Sequence, residues 1–167
     1  MRSKKVLFTV QAAMIAAVYV ALTYVSAAIG LSSGTIQVRI SEVLCILPIF
    51  TPAAIPGLWL GCFLANLMTG GIVADVICGS LATLIGAVGT YLLRRHRFAC
   101  TLPPVLANMV IVPFVLRYGY GFVTKYRGID WSLPFNALTV GIGEAVTCMI
   151  MGSILLRGLQ KYRNVIL

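Results

Sequence analysis

Two long stretches of the chain, Val6 to Gln37 and Val43 to Ala74, contain no charged side chain. Runs of about 18 or more apolar residues are typical of helices that cross a bilayer. Only 10% of all residues are charged and the mean hydropathy is +0.99, whereas a soluble domain carries about 25% charged residues. The sequence therefore predicts an integral membrane protein with a single transmembrane domain over residues 1–167.

The basic residues stand in short groups at the ends of the apolar runs. The net charge of +9 could indicate nucleic-acid binding, but no RNA- or DNA-binding motif is present. Short basic groups beside apolar runs are typical of cytoplasmic loops. We therefore predict no nucleic-acid partner and assign three groups to the cytoplasmic side: Arg2, Lys4 and Lys5; Arg94, Arg95 and Arg97; Arg157, Lys161 and Arg163.

The apolar runs predict six spans, at about residues 6–29, 36–50, 52–69, 73–93, 102–122 and 133–156. The first run is longer than the roughly 7–15 apolar residues of a signal peptide, so we predict a retained span. The region 40–71 has two interpretations, two short spans or one long span kinked at its prolines. Six spans place nine Lys and Arg residues inside and four outside, whereas five spans place six inside and seven outside. The positive-inside rule favours six spans with both termini in the cytoplasm.

The chain has only four acidic residues, and three of them fall at or inside predicted spans. Glu42 and Asp75 begin spans on the outer side, Asn66 lies near an outer span end, and Glu144 lies near mid-depth. Ionisable groups inside a membrane are costly and usually functional. We predict that these side chains share a polar pocket that opens outward; separate structural pairs are the alternative. The fourth acid, Asp130, is predicted to be a solvated loop charge.

Three further polar or aromatic residues each admit two interpretations. Arg39 precedes Glu42 by three residues, so the two would be neighbours on a helix and would form either a local ion pair or part of the pocket. Asn108 would make an interhelical hydrogen bond or contact a ligand. Trp131 would be an interfacial anchor or would stack on a planar ligand.

Span one carries overlapping small-xxx-small patterns in Ala12, Ala13, Ala16 and Ala17. Such patterns let helices approach closely, either within a bundle or against another membrane protein.

Catalytic chemistry is not indicated. The single histidine, His96, lies in a basic loop far from the acids, and the five cysteines have no metal-site spacing. The P-loop pattern GxxxxGK[ST] is absent. The sequence predicts no enzyme, no catalytic residue, no metal, no cofactor and no ATPase of its own.

The run QVRISEVLCILPIFTPAAIPGLWLGCFLANLMTGGIVADVICGSLAT, from Gln37 to Thr83, resembles the queuosine-precursor transporter (QueT) family. The order R-x-S-E, P-x-x-I-P-G-L, G-C-x-x-A-N and D-x-x-x-G-x-x-A-T carries the resemblance, and Asn108 and Gly143-Glu144 extend it. The family consists of substrate-binding S-components of energy-coupling factor (ECF) transporters. The resemblance implies an all-α, six-transmembrane-helix bundle in the bacterial cell membrane.

The resemblance also implies a substrate, a site and partners. The cargo would be a 7-deazaguanine base, either a prequeuosine base (7-cyano or 7-aminomethyl) or queuine, bound near the extracellular face under a gating loop after helix one. A T-component would dock on the alanines of span one, and two cytoplasmic ATPases would hydrolyse ATP. The alternatives are an S-component for another vitamin or base, or a stand-alone proton-coupled carrier. The expected substrate-binding residues are Arg39, Glu42, Asn66, Asp75, Asn108, Trp131 and Glu144.

Overall fold

Four helical stretches in the computed structural model are long and apolar enough to cross a membrane: Lys4–Ala28, Val73–Leu92, Ala99–Gly119 and Ser132–Leu159. Two shorter apolar helices, Ile40–Ile49 and Ala54–Met68, lie between the first and second of them. The structure describes residues 3–31, 38–96, 99–126 and 128–161. The predicted all-α membrane fold is confirmed.

The chain runs through these helices in sequence order. Helix α1 spans Lys4–Ala28, a 3-10 helix spans Ile40–Ile49, α2 spans Ala54–Met68 and α3 spans Val73–Leu92. After a short 3-10 turn at Ala99–Thr101, α4 spans Leu102–Phe114 and continues as a π-helical turn over Val115–Gly119. Helix α5 spans Ser132–Glu144 and continues through a π-helical stretch, Ala145–Met151, into α6, Gly152–Lys161.

A small antiparallel hairpin, which the sequence analysis did not predict, precedes α5. Strand β1, Lys125–Tyr126, pairs with β2, Ile129–Asp130. Asp130 accepts hydrogen bonds from the hydroxyl and backbone N–H of Ser132 and from the Arg117 guanidinium. These bonds lower the pKa of Asp130 to about 2. Asp130 is thus an exposed loop charge, but one that fixes the start of α5.

The ambiguous region after α1 forms two helices. The 3-10 helix contains Pro48 and ends at Ile49, and α2 begins at Ala54 after Thr51 and Pro52. Proline removes a backbone donor, which is consistent with a break at this point. The 3-10 helix is largely buried and contacts α1, α3 and the π-helical stretch after α5. It therefore forms part of the interior of the bundle.

Helix α1 packs closely on α2 through small residues. A Cβ on Gly57 would come within 2.8 Å of the Ala12 carbonyl oxygen, and a Cβ on Gly61 within 3.1 Å of the Ala16 Cα. Of the four alanines predicted to dock a partner, Ala12 and Ala16 are therefore buried against α2. Ala13 and Ala17 are exposed.

Helices α3 and α4 make a second close contact. A Cβ on Gly86 would come within 2.7 Å of the Pro104 Cα, and one on Gly89 within 2.5 Å of the Pro103 Cβ. Glycine at these two positions of α3 lets the first turn of α4 lie against it. This contact holds α4 beside α3, and α4 in turn packs on α5.

The two ends of the bundle differ in character. At one end, the C-terminal ends of α1, α2 and α4 meet the N-terminal ends of the 3-10 helix, α3 and α5. The described basic residues at the opposite end are Lys4, Lys5, Arg94, Arg95, Arg157 and Lys161. The predicted gating loop, Gly30 to Gln37, lies mostly outside the described residues.

Candidate substrate-binding site

A cavity of about 370 Å³ opens at the end of the bundle where α1, α2 and α4 terminate. Its wall is formed by α1, the end of α2, the π-helical turn after α4, the start of α3 and the segment before the hairpin. The cavity has both polar and apolar walls, and its lining residues are Thr23, Ala27, Arg39, Asn66, Thr69, Gly70, Gly71, Asp75, Leu116, Tyr120 and Phe122.

The charged wall of the cavity is formed by Arg39 and Asp75. The Arg39 Nη2 atom lies 3.5 Å from Asp75 Oδ2, and the Tyr120 hydroxyl donates to the same oxygen at 3.0 Å. Asn66 lies beside them and donates from Nδ2 to the Asp75 backbone carbonyl at 3.3 Å. A Cβ on Gly79 would come within 3.0 Å of Asn66 Nδ2 and 3.2 Å of Asp75 Oδ1. The absence of a side chain at Gly79 therefore leaves room for this polar group.

Of the two interpretations of Arg39 and Glu42, the local ion pair is not formed, and Arg39 instead belongs to the cavity wall. Arg39 forms its salt bridge with Asp75 instead. Arg39 has extended backbone angles and precedes the 3-10 helix as its N-cap. Because the helical spacing rule applies only between residues that are both helical, it does not place Arg39 beside Glu42.

Glu42 is held inside the bundle by neutral donors. It is 1% exposed and accepts hydrogen bonds from the Tyr19 hydroxyl, from Cys45 Sγ at 2.9 Å and from Thr83 Oγ1 at 3.4 Å. It does not belong to the lining of the 370 Å³ cavity. Its carboxylate therefore joins α1, the 3-10 helix and α3.

Glu144 lies near Glu42 but reaches a separate, smaller void. This void has a volume of about 10 Å³ and is lined by Arg39, Val112, Val140 and Glu144. Cys148 Sγ lies 3.5 Å from Glu144 Oε2, and the buried Asn108 side chain lies close to Glu144. Asn108 is thus placed between helices, beside one of the predicted site acids.

Ligand atoms of Glu42, Glu144 and Cys148 lie within 4.8 Å of one another. This donor set is close enough for a metal ion, but both Glu42 oxygens already accept hydrogen bonds from protein donors. We therefore assign no metal to the cluster.

Trp131 is not brought together with the other predicted site residues. It is half exposed, and its backbone N–H donates to the Thr124 carbonyl at the base of the hairpin. It does not belong to the lining of the 370 Å³ cavity. The structure therefore places Arg39, Asn66 and Asp75 on one cavity, Glu144 and Asn108 beneath it, and Trp131 at the rim of the bundle.

Tyr19, Tyr120 and Asn136 were not predicted from the sequence as polar residues of the interior or the cavity. Tyr19 belongs to the buried stripe of α1, whose members recur every three or four residues: Ala12, Ala16, Tyr19, Thr23 and Ser26. That spacing is a recognisable signal, because polar groups on a buried helical face need partners. Tyr120 lies near the end of the fifth predicted span, 102–122, where nothing in the sequence distinguishes it from the neighbouring aromatic residues. Asn136 belongs to a similar buried stripe on α5, with Ser132, Thr139 and Gly143.

The fold and cavity define a class of protein: a multi-pass membrane protein that can bind a small polar molecule at one end of its bundle. Comparison with known families identifies the class more closely. The QueT transporter family model matches residues 9–161, and the chain belongs to this family.

One curated relative is the queuosine precursor transporter QueT of Lactococcus lactis subsp. cremoris (strain MG1363). It is 36% identical over 98 residues, which are 58% of this chain and 57% of that protein. The match thus spans little more than half of either chain. No solved structure matches the chain significantly.

Proposed function

We propose that the chain is the substrate-binding S-component of an ECF-type importer and that it captures a 7-deazaguanine base. The observation that carries this proposal is the cavity wall formed by Arg39, Asp75, Asn66 and Tyr120 in a member of the QueT transporter family. The cavity volume of about 370 Å³ lies in the range of about 300–1,000 Å³ that is typical of small-molecule sites.

The chemistry of the wall suits a guanine-like base. Such a base presents two adjacent N–H donors, which one carboxylate can accept together in a charge-assisted contact. Asp75 supplies that carboxylate, and the Asn66 amide can serve a carbonyl or a ring nitrogen. The Tyr120 and Phe122 ring centroids are 6.4 Å apart and tilted by 43°. One of these rings can cover the flat face of the base.

The distribution of basic residues supports an outward-facing cavity. The end opposite the cavity carries the larger basic groups, including Lys4, Lys5, Arg94 and Arg95. By the positive-inside rule that end faces the cytoplasm, together with both termini. The cavity would then receive its substrate from outside a bacterial cell.

The exposed face of α1 supports docking of a T-component. Only 17% of the most apolar stretch of α1 is buried, the lowest share among the four long helices. Ala13 and Ala17 lie on its exposed side, next to Val10, Met14 and Val18. Two cytoplasmic ATPases bound to the T-component would provide the energy for uptake.

Calorimetry on the purified chain tests the proposed cargo. We expect 7-aminomethyl- or 7-cyano-7-deazaguanine to bind in the absence of ATP. Guanosine is a bulkier control and should not bind. If no 7-deazaguanine base bound to the chain, the proposed cargo would be wrong.

Co-purification from native membranes tests the proposed partners. We expect a T-component and two ATPases to accompany the chain. Full uptake in cells lacking those ATPases, dependent on a proton gradient, would instead identify a secondary carrier.

A further inference from the structure

The Asp75 carboxylate on the wall of the 370 Å³ cavity already has donors on one of its oxygens. Its Oδ2 atom accepts a hydrogen bond from the Tyr120 hydroxyl at 3.0 Å and lies 3.5 Å from Arg39 Nη2. An ionised carboxylate has about four lone-pair sites, shared between its two oxygens. The Tyr120 and Arg39 donors therefore use the capacity of Oδ2 before a ligand binds.

A guanine-like base needs both oxygens of one carboxylate. In the proposed function, its two adjacent N–H groups donate side by side to Asp75, one to each oxygen. Because Oδ2 already has two donors, one of these donors must leave when the base binds. Tyr120 and Arg39 both line the cavity, so either donor would compete with the base inside the same space.

Tyr120 is the donor that can leave at the lower cost. The Arg39 and Asp75 side chains are only 20% and 8% exposed, and separating a largely buried ion pair leaves both charges without a partner. Tyr120 has no charge, and it is 41% exposed. Its hydroxyl can therefore exchange the carboxylate for water when the side chain turns outward.

The backbone around Tyr120 is held in place, so rotation of the side chain is sufficient to break the bond. The Tyr120 N–H donates to the Val115 carbonyl at 3.1 Å, and the Phe122 N–H donates to the Leu116 carbonyl at 2.9 Å. Gly121, between the two aromatic residues, has a φ of +72°, a conformation that favours glycine. The ring thus stays beside the cavity whether or not its hydroxyl is bonded.

We propose that Tyr120 is a latch on Asp75: before a ligand binds, its hydroxyl occupies the acceptor that the base must use, and the base binds by displacing it. This inference rests on the proposed function and deepens it by adding an autoinhibitory contact to the same site. Only molecules with an open latch can bind the base edge, so the latch lowers the apparent affinity in proportion to the open fraction.

Tyr120→Phe tests the latch, because the change keeps the ring and removes only the hydroxyl. We expect binding of 7-aminomethyl-7-deazaguanine, measured by calorimetry, to tighten about 2- to 10-fold, the effect of one net hydrogen bond. A purely structural role of the hydroxyl predicts equal or weaker binding instead. The matched control is Tyr118→Phe, whose ring is 73% exposed and lies outside the cavity lining. This control should leave binding unchanged.

The gain in affinity must depend on Asp75. In an Asp75→Asn background, Tyr120→Phe should tighten binding by a smaller factor, because the neutral amide oxygen is a weaker acceptor than the carboxylate. An equal gain in the two backgrounds would show that the hydroxyl acts on another group, and it would overturn the latch.

The outcomes separate the latch from the cargo. If the wild-type chain binds the base and Tyr120→Phe does not bind it more tightly, the latch is wrong and the proposed cargo stands. If only the Tyr120→Phe chain binds the base measurably, both the latch and the cargo are supported. If neither chain binds any 7-deazaguanine base, the proposed cargo is wrong and the latch is overturned with it.

Discussion

Asp75 is the acid that the structure places on the wall of the larger cavity. Its carboxylate already interacts with Arg39 and Tyr120, so its position is fixed before a ligand arrives. At the scale of single residues, this acid and the more deeply buried Glu42 have different environments, and they lead to different expectations.

Asp75→Asn should weaken binding of a 7-deazaguanine base by about 10- to 100-fold. The substitution removes a charged acceptor, and hydrogen bonds to charged groups contribute about 1.5–3 kcal/mol. Calorimetry measures the change. Asp130→Asn is the matched control, because Asp130 binds Arg117 and Ser132 beside the hairpin and lies outside the cavity lining. Equal loss in both variants would contradict a direct role for Asp75.

Tyr19→Phe should lower the stability of the bundle by about 1–3 kcal/mol, because it leaves the buried Glu42 carboxylate without one of its donors. Thermal unfolding in detergent measures this loss. The control is Tyr24→Phe on the same helix, where the exposed hydroxyl donates to the Met68 carbonyl at 3.2 Å. If the two variants melted at the same temperature, Glu42 would not depend on Tyr19.

The sequence was sufficient to predict that Arg39, Asn66 and Asp75 lie at the same end of the bundle, because their depth follows from the apolar runs. It did not predict their partners. Arg39 pairs with Asp75 from α3, and Glu42 accepts from Tyr19 of α1. These contacts join distant parts of the chain, so they depend on how helices pack and not on local spacing. The hairpin was missed because its strands have only two residues each.

At the scale of the elements, glycine positions determine how closely helices approach. The small residues of α1 and α2 face one another, and the glycines of α3 leave room for the prolines of α4 to pack closely. The sequence indicated a small-residue pattern on α1 but not which neighbouring helix it contacts. The structure shows that two of the α1 alanines serve the intramolecular contact.

Gly61→Ala should destabilise the contact between α1 and α2. The added Cβ would lie 2.8 Å from the Tyr19 Cβ and 3.1 Å from the Ala16 backbone. Overpacking of this kind costs about 1–3 kcal/mol, and thermal unfolding would detect it. Gly158→Ala in α6 meets no atom within 4 Å and should be neutral or slightly stabilising. Equal stability of the two variants would contradict the close packing.

At the scale of the whole molecule, the orientation of the bundle decides which side delivers the substrate. A cysteine replacing Lys125, near the cavity, should react in intact cells with a membrane-impermeant maleimide. A cysteine replacing Arg94, at the opposite end, should react only after the cells are opened. Both positions are exposed, and four of the five native cysteines are buried. The reverse pattern would show that the cavity faces the cytoplasm.

Helix α2 has a consequence for the lipid around the protein. Its 15 residues give a length of about 22 Å, whereas the hydrocarbon core of a bilayer is about 30 Å thick. Leu60, Leu64 and Leu67 on this helix are exposed, so acyl chains meet its surface directly. The bilayer must become thinner beside α2 than beside the 25-residue α1. Part of the elastic energy of the protein in its bilayer is therefore held in the surrounding lipid, and short-chain lipids should relieve it.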